Sequence, residues 1–101
     1  MSDQQLQVQV PEDLQGGVYA NMAAVWHTPY EFTLDFAVLQ PPMADDEGNQ
    51  VVPARVVARV KFPPSQIFQL LQAINGNMTA YEEQFGAITD PSAQQPPQRD
   101  T

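Results

Sequence analysis

The chain has no cysteine, one histidine and only four lysines and arginines in 101 residues. Without thiols it has no disulfide framework, no thiolate metal site and no cysteine nucleophile, and a reducing, cytoplasmic setting is the expectation. His27 has no second histidine or cysteine with which to hold zinc, so neither metal nor cofactor is expected. Twelve acids against the four bases give a net charge of −8. A surface of that sign releases no counterions from DNA or RNA and is repelled by anionic lipid, so neither nucleic acid nor membrane is an expected partner. No apolar run approaches the length of a membrane-spanning helix. Residues 1–5 lack the basic and apolar regions of a secretory signal. Dinucleotide-binding and phosphate-binding glycine loops, the nucleophile elbow and the zinc-protease motif are all missing.

What is present is periodicity. Phe32, Leu34 and Phe36 alternate with Glu31, Thr33 and Asp35, the pattern of a half-buried strand. It follows a turn at Thr28-Pro29 and continues to Leu39. Before it, residues 18–27 alternate Val18, Ala20, Met22, Ala24 and Trp26 against Tyr19, Asn21, Ala23, Val25 and His27. Both sets are largely apolar, so this strand is expected at the centre of a sheet. The short connection makes the two antiparallel. Leu6, Val8 and Val10 read as a short edge strand stopped by Pro11. Residues 51–62 read as a fourth strand, with Val56, Ala58, Val60 and Phe62 on one face and Arg55, Val57, Arg59 and Lys61 on the other.

The period then changes. After Pro63-Pro64, the residues Ile67, Leu70, Leu71, Ile74, Met78, Tyr81 and Phe85 recur at spacings of three and four, which predicts one amphipathic helix stopped at Gly86. Gly76 marks either a break or a tolerated helical glycine. The expected fold is α+β: a four-stranded antiparallel sheet followed by one long C-terminal helix packed on one face, in a single domain over residues 6–88. Residues 1–5 and the Pro- and Gln-rich residues 89–101 are expected to be disordered. The layout is similar to that of the export chaperone SecB, as an analogy of architecture.

One helix covers one face of a sheet. It is assigned to Phe32, Leu34, Phe36, Val56, Val60 and Phe62, which leaves Tyr19, Val25, Leu39 and Val57 among charges on the other. A second copy of the chain covering those four, as a homodimer or higher oligomer, is the expected remedy.

Candidate chemistry is sparse. Glu31 and Asp35 lie four apart on one strand, roughly 13 Å from each other, too far for a paired-carboxylate site. Their expected partners are Arg55, Arg59 and Lys61 across the sheet. Those three bases, with His27, are also the candidate contact for an anion or a partner. An acid/base pair from Asp35 and His27 is the one enzymatic alternative. Trp26, Tyr30 and Phe32 form either core or an aromatic groove for a peptide. Residues 45–49, Asp-Asp-Glu-Gly-Asn, lack the spacing of a calcium loop and read as a solvated hairpin loop.

Tyr19-Ala20-Asn21, Glu31-Phe32-x-Leu34-Asp35-Phe36, Arg59 with Pro63-Pro64, and Tyr81-Glu82-x-x-Phe85-Gly86 together resemble a family of short bacterial proteins known only as a domain of unknown function. The resemblance spans about residues 17–88. Where that family has a single proline and basic residues at the helix start, this chain has Pro63-Pro64 with Gln66, Gln69 and Gln72. The resemblance implies a fold and a bacterial source but no activity. The resulting expectation is a non-enzymatic, oligomeric, protein-binding module (an adaptor, chaperone-like protein or assembly component), with an anion- or small-ligand-binding module on the Arg55, Arg59 and Lys61 face as the alternative.

Overall fold

A computed structural model of the chain describes residues 4–89; the expected C-terminal tail lies almost wholly outside them. The fold is α+β, with an antiparallel sheet followed by one C-terminal helix. The chain divides between Phe62 and Pro63 into two compact units, described in turn.

The first unit is a three-stranded sheet with the order β1 (Met22–His27), β2 (Phe32–Leu39), β5 (Ala54–Phe62), all antiparallel. Between β2 and β5 the chain makes a separate two-stranded ribbon, β3 (Met43–Ala44) with β4 (Gln50–Val51). The centre is therefore β2, whereas residues 18–27 were expected there. The tight turn fixes β1 on one edge of β2, and the chain returning from the ribbon takes the other. That turn is built by Thr28, whose Oγ accepts the N–H groups of Tyr30 and Glu31 while its own N–H donates to the Glu31 carbonyl.

Residues 6–10 form no strand, correcting the expected fourth member of the sheet; Leu6, Val8 and Val10 are exposed. Pro11 and the 3₁₀ turn at Glu12–Leu14 separate these residues from β1, so no tight hairpin turn brings them back onto the sheet. Pro53 likewise divides the expected strand 51–62 into β4 and β5, because it has no N–H for the ladder. Its carbonyl accepts the Gln40 N–H at 2.8 Å, closing the base of the ribbon.

The larger correction concerns the faces. Pairing runs regularly from Phe32 opposite Phe62 to Phe36 opposite Ala58, then jumps to Ala37 opposite Val56. Val57 is the extra residue of a β-bulge, and beyond it every side chain of β5 changes sides. Arg55 now stands opposite Val38, in line with Phe36, so it does not share a face with Arg59 and Lys61. Val56 crosses the other way, to the face of Ala37. On β1, Val25 pairs with Leu34 and His27 with Phe32, so both join the apolar face.

The most buried side chains are not Phe32, Leu34 and Phe36, which are half-buried, but Thr33, Asp35 and Ala37, at 8%, 4% and 2% exposure. The alternation expected for β2 is present, with the burial inverted. Long side chains from the flanking strands extend over the small residues of β2, as the hydrogen bonds described below show.

The second unit starts with a 3₁₀ turn at Pro64–Gln66 and continues as α1 (Ile67–Phe85). Proline is suited to this first turn, where its missing N–H has no partner to lose. The helix runs through Gly76 without a break. It ends at Gly86, whose φ of 96° is open to glycine and whose N–H caps the Glu82 carbonyl at 2.9 Å. The chain then doubles back, and the Ile88 N–H donates to Glu82 Oε2.

Candidate functional site: a buried carboxylate under tryptophan and arginine

Asp35 is at the middle of the central strand and faces the side opposite Phe36. Directly across from it on β5 is Arg59. The guanidinium meets the carboxylate as a fork, with Nε donating to Oδ1 at 2.6 Å and Nη2 to Oδ2 at 2.8 Å. From the other flank Trp26, diagonal to Asp35 across β1, donates its indole N–H to Oδ2 at 3.0 Å. One carboxylate thus ties all three strands together. It is almost fully covered, while more than half of the Arg59 side chain remains in solvent. The Arg59 hydrogen bond, followed by the Trp26 N–H and the positive charges of Arg59 and Lys61, holds the Asp35 carboxyl below its ordinary 3.8 against the opposing effect of burial. The same contact raises Arg59.

The polar ladder continues towards the turn. Lys61, opposite Thr33, donates to Thr33 Oγ at 3.0 Å and to Glu31 Oε2 at 3.1 Å. Of the expected partnerships, the structure forms Asp35 with Arg59 and Glu31 with Lys61, and it leaves Arg55 on the opposite face. The candidate anion stripe of Arg55, Arg59 and Lys61 is therefore not assembled: two of its members are paired and the third points away. His27 stacks near Phe32, ring centroids 5.6 Å apart, on the face away from Asp35, so the two members of the enzymatic alternative are separated by the thickness of the sheet. Trp26 and Phe32 are separated in the same way, and Tyr30 stands 85% exposed in the turn. The three aromatics do not line one groove.

Tyr19, Val25, Leu39 and Val57 are all exposed but do not form a single patch. Val25 belongs to the apolar face, Leu39 is in line with Ala37, Val57 occupies the bulge and Tyr19 precedes β1.

A family profile for a protein of unknown function, DUF3467, matches residues 1–90. The chain belongs to this family. No curated protein and no solved structure matches it. Two contacts of this DUF3467 chain lie outside those expected from its sequence. One is Trp26 as a partner of Asp35. The other is Asn21, whose N–H donates to the Ala37 carbonyl at 2.9 Å and whose Oδ1 accepts the Leu39 N–H at 3.0 Å. Asn21 thereby extends the β1–β2 ladder past the first residue of β1. In the ribbon loop, Asp45 Oδ1 accepts the N–H groups of Glu47 and Asn49. These bonds close the loop on itself, and the backbone N–H of Asn49 is the first cause of the lowered Asp45 carboxyl.

Proposed function

We propose that this DUF3467 protein is a non-enzymatic protein-binding module, acting as a homodimer or higher oligomer in the bacterial cytoplasm. One observation carries the reading. Asp35, Arg59 and Trp26 are engaged with one another, and Lys61 with Glu31 and Thr33, whereas large apolar side chains stand exposed in each of the two units. In the sheet unit Val25 and Val60 are exposed, and in the helix unit Leu71, Ile74 and Phe85 are 56%, 51% and 70% exposed. Apolar surface on this scale in a chain of 101 residues favours burial against another polypeptide. The acidic charge supports the reading by keeping such a protein soluble between partners.

The test is the mass of the native chain together with its effect on a client. Light scattering after size exclusion is expected to give a multiple of 11.2 kDa, and the chain is expected to slow aggregation of an unfolding test protein at equimolar ratio. A clean monomer with no effect on aggregation overturns the proposal.

A further inference from the structure

We infer that residues 6–10 of one copy add as an antiparallel strand to the open edge of β1 in a second copy, and that the exchange is reciprocal. This rests on the oligomeric reading above and names its contact. The two edges of the sheet are unlike. β5 follows Pro53, carries Arg55, Arg59 and Lys61, and is bent by the bulge at Val57, all of which blunt an edge against further pairing. β1 pairs with β2 without a shift in register and has no proline, lysine, arginine or carboxylate. It ends the strand order, with no strand beyond it among the described residues.

The open edge presents a definite set of groups. The Thr28 N–H donates to the Glu31 carbonyl at the head of the β1–β2 pair. Alternate residues from there, Trp26 and Ala24, turn their backbone N–H and C=O groups to β2, so His27, Val25 and Ala23 turn theirs outward. The side chains of those three lie on the apolar face, opposite Phe32, Leu34 and Phe36.

Residues 6–10 match that edge in length and pattern. Leu-Gln-Val-Gln-Val spans five residues, as 23–27 does, and is uncharged and free of proline. Facing residues of an antiparallel pair share a face of the sheet. With Leu6 opposite His27, Val8 opposite Val25 and Val10 opposite Ala23, the apolar side chains extend the apolar face and the two glutamines join the other. A slip of one residue would reverse that. Pro11, next along, turns its missing N–H away from β1, so the ladder loses nothing. Within its own chain the segment lies off the sheet: Leu6, Val8 and Val10 are 89%, 78% and 53% exposed. The connection folds on itself instead, the Leu14 N–H donating to the Pro11 carbonyl and the Gly17 N–H to the Leu14 carbonyl. Two copies that trade segments fill both edges under one two-fold axis.

The lack of cysteine makes a crosslink diagnostic. Val8→Cys and Val25→Cys are prepared singly in the full chain and oxidised separately, and after mixing and equilibration. Facing Cα atoms in such a pair are about 5.5 Å apart, within disulfide reach, so the mixture is expected to give at least about tenfold more linked dimer than either variant alone. Val8→Cys mixed with Ala24→Cys, whose side chain is on the other face, is expected to stay at background; equal yield there overturns the ladder. Leu6→Cys with His27→Cys replaces the first pair should circular dichroism show Val25→Cys to be unfolded. Val8→Pro removes the central N–H of the added strand and is expected to raise the oligomer's dissociation constant at least about tenfold by light scattering on dilution. An unchanged constant overturns the exchange. So does a disulfide closed within one chain when Val8→Cys and Val25→Cys are combined, which would place the segment on its own β1. A native oligomer that gives no crosslink in the mixture overturns the exchange and leaves the oligomeric reading standing, whereas a monomeric native chain overturns both.

Discussion

Arg59 and Asp35 face each other across the β2–β5 pair and join through two parallel hydrogen bonds of 2.6 and 2.8 Å, with the Asp35 side chain 6% exposed. The cover is unequal, because the arginine reaches water and the aspartate does not. Removing the arginine therefore strands a buried negative charge, while removing the aspartate releases an arginine that can hydrate. Arg59→Ala is expected to lower the melting temperature by about 10 °C, and more than Asp35→Asn does. Arg59→Lys should recover only part of the loss, since an ammonium cannot reproduce the fork. Thermal denaturation of the three variants followed by circular dichroism checks the order.

The same pair predicts an acid limb to the stability curve. The folded carboxyl of Asp35 lies below its ordinary 3.8, chiefly through the Arg59 hydrogen bond. The unfolded chain therefore binds the proton first as pH falls. The contribution is complete above about pH 5, declines below that, and is lost once pH has passed through the lower folded value. Asp45 shifts the same way, so the two must be separated by variants. Asp35→Asn should be less stable than the parent at pH 7 and converge on it towards pH 3. Trp26, the only tryptophan, donates to the same carboxylate, so its fluorescence should change over the same window in the native state and be flat in Asp35→Asn.

Those two outcomes depend on a site whose parts were unequally legible. The pairing of Asp35 with Arg59 and of Glu31 with Lys61 follows from alternation on two strands and a surplus of acids, and the sequence carries both. The position of Arg55 does not follow, because a bulge at Val57 has no mark in composition: Arg-Val-Val-Ala-Arg alternates smoothly, and only the ladder shows one residue out of step. The Trp26 contact was within reach. A four-residue turn between His27 and Phe32 sets Trp26 opposite Thr33 and therefore diagonal to Asp35, but an apolar reading of both faces of residues 18–27 pointed to core instead. The helix and its stop at Gly86 were legible because a 3-4 spacing sustained over 19 residues has few alternatives, whereas the five residues 6–10 had too little pattern to separate a strand from an extended segment.

Asn21 predicts a local effect. Its side chain is the acceptor for the Leu39 N–H at 3.0 Å, one step beyond the paired residues of β1. Asn21→Ala removes that acceptor and leaves the backbone bond to Ala37 in place. The expected cost is about 1 kcal/mol, concentrated at the end of β2. Amide hydrogen exchange at Leu39 should accelerate about fivefold, with Leu34 and Asp35 at the strand centre unchanged. Uniform acceleration along β2 would show instead that Asn21 acts on the whole sheet.

Two glycines in one unit give opposite predictions for one substitution. Gly76 is helical, and a Cβ there meets open space. Alanine removes conformational freedom from the unfolded chain and nothing from the folded one, so Gly76→Ala should stabilise by about 1 kcal/mol. Gly86 also has open space around it, but its φ is 96°, a conformation that costs an L-residue about 1 kcal/mol or more. Gly86→Ala should destabilise by about that amount and loosen the return of the chain in which the Ile88 N–H donates to Glu82 Oε2. Urea denaturation monitored by helical circular dichroism measures both.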